Sequence, residues 1–175
     1  MCNLHNVGYD AAMVSHPRWL SEDEQQFWRL IVAASRKVSR SIDDTLQEGF
    51  ALSSSEYAVL VALSEAEGNA MRLRDLCAAL EWDRSRASHQ VTRMERRGLV
   101  EKRRSVADAR GVLVSLSELG MERLQAAAPD HVESVRRAVF DHLSTEQIEA
   151  FTDVLSAVVD APAADEVEAG TETAR

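Results

Sequence analysis

The chain has 175 residues, 45% of them apolar and 28% charged, the make-up of a globular domain with its own core and not of a disordered polymer. It carries 29 Asp or Glu against 20 Lys or Arg, a net charge of −9, and its two cysteines, Cys2 and Cys77, do not make a disulfide framework. The longest apolar run, YAVLVAL at 57–63, is far short of the roughly 20 residues that span a bilayer, and the first twenty residues lack a basic-then-apolar signal, so a cytoplasmic protein with no membrane segment is expected.

Residues 1–20 contain Gly8 and Pro17 and no apolar period, and read as an irregular arm in which Met13 offers an alternative start. From Ser21 the signal sharpens. Ser21 with Glu24 forms a capping-box pattern, and Phe27, Leu30, Ile31, Ala34, Val38, Ile42 and Leu46 recur on one helical face up to Gly49, read as the stop. Ser53 and Glu56 open a second helix carrying Tyr57, Leu60, Val61 and Leu63, which Gly68-Asn69 closes. A short third helix, about Leu73 to Leu80, gives way at EWD (81–83) to a fourth, for which Asp83 is the N-cap and Trp82 a hydrophobic staple onto Ala87. After Gly98 the period changes to two, through Leu99, Val100, a charged tip and then Val112, Leu113, Val114 and Leu116, the pattern of a β-hairpin with a long basic loop. Ser117 starts a further helix, expected to be interrupted near Pro129 and to resume at Val132. Ser144 with Gln147 caps the last one, whose stripe is Ile148, Phe151, Val154, Leu155, Val158 and Val159. The tail at 161–175 is acidic and aperiodic, and disorder is expected there.

The charge is unevenly spread. Between Arg72 and Arg110 there are eleven Lys or Arg and six Asp or Glu, a balance of +5 that leaves −14 for the remainder. A basic centre in an acidic body suits a nucleic-acid-binding lobe, although flanking acids could also pair with such a cluster. Helix, tight turn, helix and basic hairpin make a winged helix-turn-helix. The fourth helix then offers Ser85, Arg86, Ser88, His89, Thr92 and Arg93 to the major groove of duplex DNA, where Arg forks onto guanine and Ser or Thr bonds to base edges or phosphates. Lys102, Arg103, Arg104 and Arg110 on the hairpin would follow phosphates or enter the minor groove.

The runs RMERRGLVEKR and DARGVLVSLSELG resemble those of the MarR-type transcriptional regulators, with Asp108 and Arg110 as the Asp-x-Arg of the wing and Leu116–Gly120 as the following helix start, Ser117 standing where Thr is usual. The similarity extends more weakly over 21–160. It implies a mainly α fold with a small β-hairpin wing: a winged helix-turn-helix lobe (about 52–117) and an all-helical dimerisation lobe (about 21–47 and 118–160). It also implies a homodimer on a palindromic operator, Arg110 as the minor-groove arginine, Asp108 orienting a neighbouring guanidinium, and Cys77 in place of a small apolar residue. Repression is the family default. Family members commonly release DNA on binding a small aromatic or anionic effector, for which His16, Trp19, Trp28, Arg29 and Tyr57 are the candidates here; Trp28 and Tyr57 equally suit a core or interface.

Other readings have less behind them. Cysteine oxidation is a possible trigger, but no partner cysteine is close in sequence. Cys2 and His5 have a C-x-x-H spacing, yet His16, His131 and His142 complete no zinc pattern, and no metal or other cofactor is expected. No Gly-rich phosphate loop, H-E-x-x-H or G-x-S-x-G is present, so no enzyme is expected. A winged helix that docks an acidic protein is the remaining alternative.

Overall fold

The structure, a computed structural model, describes residues 18–104 and 111–161, and the chain divides into two compact units between Arg36 and Lys37. Helix α1 (Glu22–Phe50) runs through that division. In the first unit its start is the expected capping box: Glu24 N–H donates to Ser21 Oγ at 3.2 Å, and Ser21 N–H donates to Glu24 Oε2 at 2.7 Å. Glu22, Asp23 and Glu24 fill the first turn, where the helix dipole favours anions. The arm before residue 18 and the tail after 161 lie outside the described residues.

The second unit continues with α2 (Ser54–Glu65), β1 (Ala70–Arg72), α3 (Leu73–Ala79), α4 (Arg84–Arg96), β2 (Val100–Arg104), β3 (Val112–Leu116), α5 (Glu118–Ala138) and α6 (Thr145–Val159). Helix α2 is its centre. Tyr57, Val59, Leu60 and Leu63 are buried, so apolar groups occupy much of the helix circumference, and α3, α4, α5, β1 and β3 all pack against it. The core adds Leu46, Leu52, Leu76, Val91, Met94, Val100, Val114 and Ala127. The sheet is antiparallel in the order β1-β3-β2, with Met71 and Lys102 both paired to Val114.

Three expectations need correction. The hairpin has a third strand, because Ala70–Arg72 pairs with β3; three residues reading Ala-Met-Arg are too few to show alternation. Helix α5 runs unbroken through Pro129. A mid-helix proline costs about 3 kcal/mol, but Leu124 and Ala127 before it and Ser134 after it are buried, and continuity keeps all three inside. Finally, α1 passes Gly49 and ends at Phe50, where Ala51 takes a left-handed φ of 52° and Leu52 N–H donates to Leu46 O.

A polar junction holds the end of α1, the start of α2 and the end of α4. Ser53 and Glu56 form a capping box, and Glu56 is 2% exposed. Its Oε1 accepts from Arg97 Nη1 at 2.6 Å, while Arg97 Nη2 donates to the carbonyl of left-handed Ala51 at 2.6 Å. Nearby, Ser54 donates from both its N–H and its hydroxyl to Asp43 of α1. Burial pushes the Glu56 carboxyl up, but the Ser53 N–H, the Arg97 guanidinium, the Ser53 hydroxyl and the charge of Arg97 together outweigh it, so the group titrates below its ordinary 4.5.

Glycine is required where α5 meets β2. A Cβ on Gly120 would stand 2.1 Å from the Leu99 carbonyl oxygen and 2.9 Å from Leu116 Cδ1. Ser117 locks the same corner by accepting from Gly120 N–H at 2.9 Å and donating to Gly98 O at 2.6 Å.

Two outcomes are expected. Glu56→Gln lowers unfolding free energy in urea by about 2 kcal/mol at neutral pH, below the 3–5 kcal/mol of a fully buried pair because Arg97 is partly exposed. A carboxyl depressed in the folded state stabilises fully above 4.5 and loses that effect as pH falls through its lower folded value, so the gap between wild type and variant closes in acid. Gly120→Ala costs about 1–3 kcal/mol in the same assay, since a backbone carbonyl has to move.

Candidate nucleic-acid interface

Helix α4 divides its surface sharply. Ala87, Gln90, Val91 and Met94 are buried at i, i+3, i+4 and i+7, and this anchors one face to the core. On the other side Ser85, Arg86, Ser88, His89 and Arg93 are exposed, as are Arg84 and Arg96, while Thr92 is half-buried. Glu81, with a left-handed φ of 52°, makes the turn from α3. Asp83 caps the helix by accepting from Arg86 N–H at 2.8 Å. Gly98, at φ 73°, ends it, with its N–H donating to Glu95 O and that of Leu99 to Met94 O.

The first turn of α4 holds no acid and two arginines, Arg84 and Arg86. Cations there oppose the helix dipole by about 0.3–1 kcal/mol each. The turn tolerates them partly because Arg86 lies over the Trp82 ring, 4.3 Å from its centroid. Trp82, itself partly buried against the core, thus gives the Arg86 guanidinium a platform.

The wing is tied to this helix. Lys102 Nζ, on β2, sits 2.8 Å from Glu95 Oε2 and donates to Thr92 Oγ1 at 3.1 Å; Thr92 in turn donates to Ser88 O at 2.8 Å. Lys102 and Thr92 therefore join strand to helix, and Lys102 has part of its charge committed inside the protein. Arg103 is exposed beside Glu101 at 2.8 Å, a pairing that solvent weakens. Arg104 ends β2, its backbone paired with Val112. Asp108 and Arg110 lie outside the described residues.

Sequence reasoning missed two features. Arg97 looks like part of the basic run but turns inward to Glu56, and only the fold brings these residues, 41 positions apart, together. The second is a cavity of about 610 Å³ in the larger unit, walled by α1, α2, α3 and α5 residues including Ile42, Leu46, Tyr57, Val61, Leu80 and His131. Tyr57 and His131 stack in a tilted arrangement with ring centroids 4.4 Å apart. Of the other effector candidates, Trp19, Trp28 and Arg29 are exposed in the first unit, and His16 lies outside the described residues. Cys77 is half-buried on α3, and no group of His, Cys, Asp and Glu among the described residues could hold a metal ion. No helix among them is long and apolar enough to cross a membrane.

The family model for the transcriptional regulators SarA/Rot matches residues 41–127. The chain is 28% identical over 116 residues to the HTH-type transcriptional regulator YdcH of Bacillus subtilis, covering 65% of this chain and 74% of that protein. Among solved structures it is similar to AbsC, a MarR family regulator of Streptomyces coelicolor, with 38% identity and a TM-score of 0.78 over 82% of this chain and 97% of that one. A second MarR family regulator from the same organism, solved in complex with DNA, is 34% identical with a TM-score of 0.79 over 85% of this chain and 94% of the other. With a buried-backed helix, a basic wing strand and relatives at this identity over nearly their whole length, the chain belongs to the MarR family of transcriptional regulators, a family and fold of regulators and not of enzymes.

Proposed function

We propose that the protein is a cytoplasmic repressor that binds a palindromic operator as a homodimer and leaves it when a small effector occupies the cavity. One observation carries the DNA reading: the ridge of Ser85, Arg86, Ser88, His89 and Arg93 is exposed on a helix whose opposite face is locked into the core. A rigid helix with Arg and hydroxyl groups outward fits the major groove, with Arg86 on guanine and Ser85, Ser88, His89, Thr92 and Arg93 on base edges or phosphates. Arg103, Arg104 and Arg110 of the wing supply sequence-independent grip, Asp108 orients a guanidinium, and Lys102 contributes to that grip while holding the wing to α4. A DNA-bound relative with 34% identity supports the same reading.

The dimer rests on two apolar faces. On α6, Phe151, Val154, Leu155 and Val158 are each more than half exposed at positions i, i+3, i+4 and i+7, and in the first unit Phe27, Trp28, Leu30 and Ile31 are exposed on α1. Burying the part of each such side chain that is still exposed gains on the order of 1 kcal/mol. Helices at about 21–47 and 118–160 accordingly pair with those of a second copy, which sets two recognition helices about one DNA turn, roughly 10 bp, apart. An effector that favours a different separation would release DNA.

Binding to DNA upstream of its own gene is expected to fall steeply with salt in a fluorescence-anisotropy titration. Arg86→Ala costs about 1–3 kcal/mol on the preferred site and relaxes its sequence preference. Trp82→Ala shifts affinity in the same direction by less, since Arg86 keeps its charge, and lowers stability as well because Trp82 packs against the core. Arg110→Ala weakens all sequences evenly and reduces the salt slope by about one. Binding that ignores salt would point to an acidic protein partner instead. In sedimentation at micromolar concentration the wild type runs as a dimer and Val154→Glu shifts it toward monomer; a folded wild-type monomer would contradict the dimer.

A further inference from the structure

The cavity wall is chemically one-sided. Its lining includes the exposed acidic residue Glu65 and, among the described residues, no lysine or arginine. Ser54, also in the wall, donates its hydroxyl to the exposed carboxylate of Asp43. Burial lowers the pKa of the His131 imidazole and raises that of the Tyr57 phenol, so both rings are uncharged at neutral pH. An anion entering here meets apolar carbon and, among the described residues, no cation to replace the hydration it loses. One hydrogen bond, meanwhile, is unmade: His131 Nδ1 is buried and has no partner among the described residues. An uncharged imidazole has one acceptor nitrogen. A half-turn about Cβ–Cγ exchanges Nδ1 with Cδ2, so either edge of this cavity-lining ring can carry the acceptor nitrogen.

We propose that this cavity selects an uncharged, flat, largely apolar ligand bearing one hydroxyl or N–H group, which donates to the His131 imidazole, and that it rejects carboxylates. Leu46, Val61 and Leu80 supply apolar wall, Tyr57 supplies a ring face, and about 610 Å³ is ample for two fused aromatic rings. The inference rests on the effector reading for its consequence on DNA, but ligand binding itself is independent of that reading. It narrows the expected effector from aromatic or anionic to neutral and donor-bearing.

Calorimetry of the full chain with three probes of one ring system tests it: 2-naphthol, 2-methoxynaphthalene and 2-naphthoate. The naphthol is expected to bind about tenfold more tightly than its methyl ether, the difference one buried hydrogen bond makes, and at least as much more tightly than the naphthoate. His131→Phe removes the naphthol's advantage over the ether, whereas His131→Asn, which keeps an acceptor, retains part of it. Naphthoate binding as tightly as naphthol, equal affinity of naphthol and ether in the wild type, or no binding by any probe would overturn the proposal. The wild-type series needs no variant to fold. DNA anisotropy with naphthol present is read separately: tight naphthol binding that leaves DNA affinity unchanged upholds the ligand class and refutes effector release.

Discussion

Glu56 is the point that ties the end of α1, the start of α2 and the end of α4 together. Its carboxylate is almost fully buried at the start of α2, and it keeps its charge because Ser53 and Arg97 donate to it. Through Arg97 it fixes the end of α4, and through the second arm of the same guanidinium it reaches the strained Ala51 at the end of α1. Without that partner the buried charge would have to be protonated or solvated, and either change loosens three helices together. A helix held at its end by one charged junction and at its side by Val91 and Met94 can carry arginines on its outer face with little risk to the fold.

The placement of the cations follows from that frame. An acidic chain concentrates positive charge between Arg72 and Arg110, but the segment is not a uniform patch. Arg97 serves the interior, Lys102 binds wing to helix through Glu95 and Thr92, and Arg86 rests on Trp82. What remains exposed on α4, namely Arg84, Arg86, Arg93 and Arg96, lies on the face away from the core. Pairing with acids and outward exposure, which the sequence presents as alternatives, are both realised by different residues.

Much of this was legible in the sequence because it is written locally. Capping hydroxyls at Ser21, Ser53, Ser117 and Ser144 and the Asp83 cap each act within a few residues, and each forms as its pattern implies. Features that depend on distant partners were not legible. Ala70–Arg72 becomes a strand only because β3 is beside it, and α5 survives Pro129 only because the core wants both of its halves. The effector candidates suffered in the same way. Aromatic residue type singled out Tyr57, whereas His131, its stacking partner, is 74 positions away and carries no local signal.

The central claim is that the polar ridge of α4 enters the grooves of duplex DNA twice, once from each of two copies. Hydroxyl-radical footprinting on DNA upstream of the gene tests it most directly. The account predicts two protected tracts on one face of the duplex, centred about one helical turn, roughly 10 bp, apart. A single short tract, or protection that follows the whole fragment without phase, would contradict it.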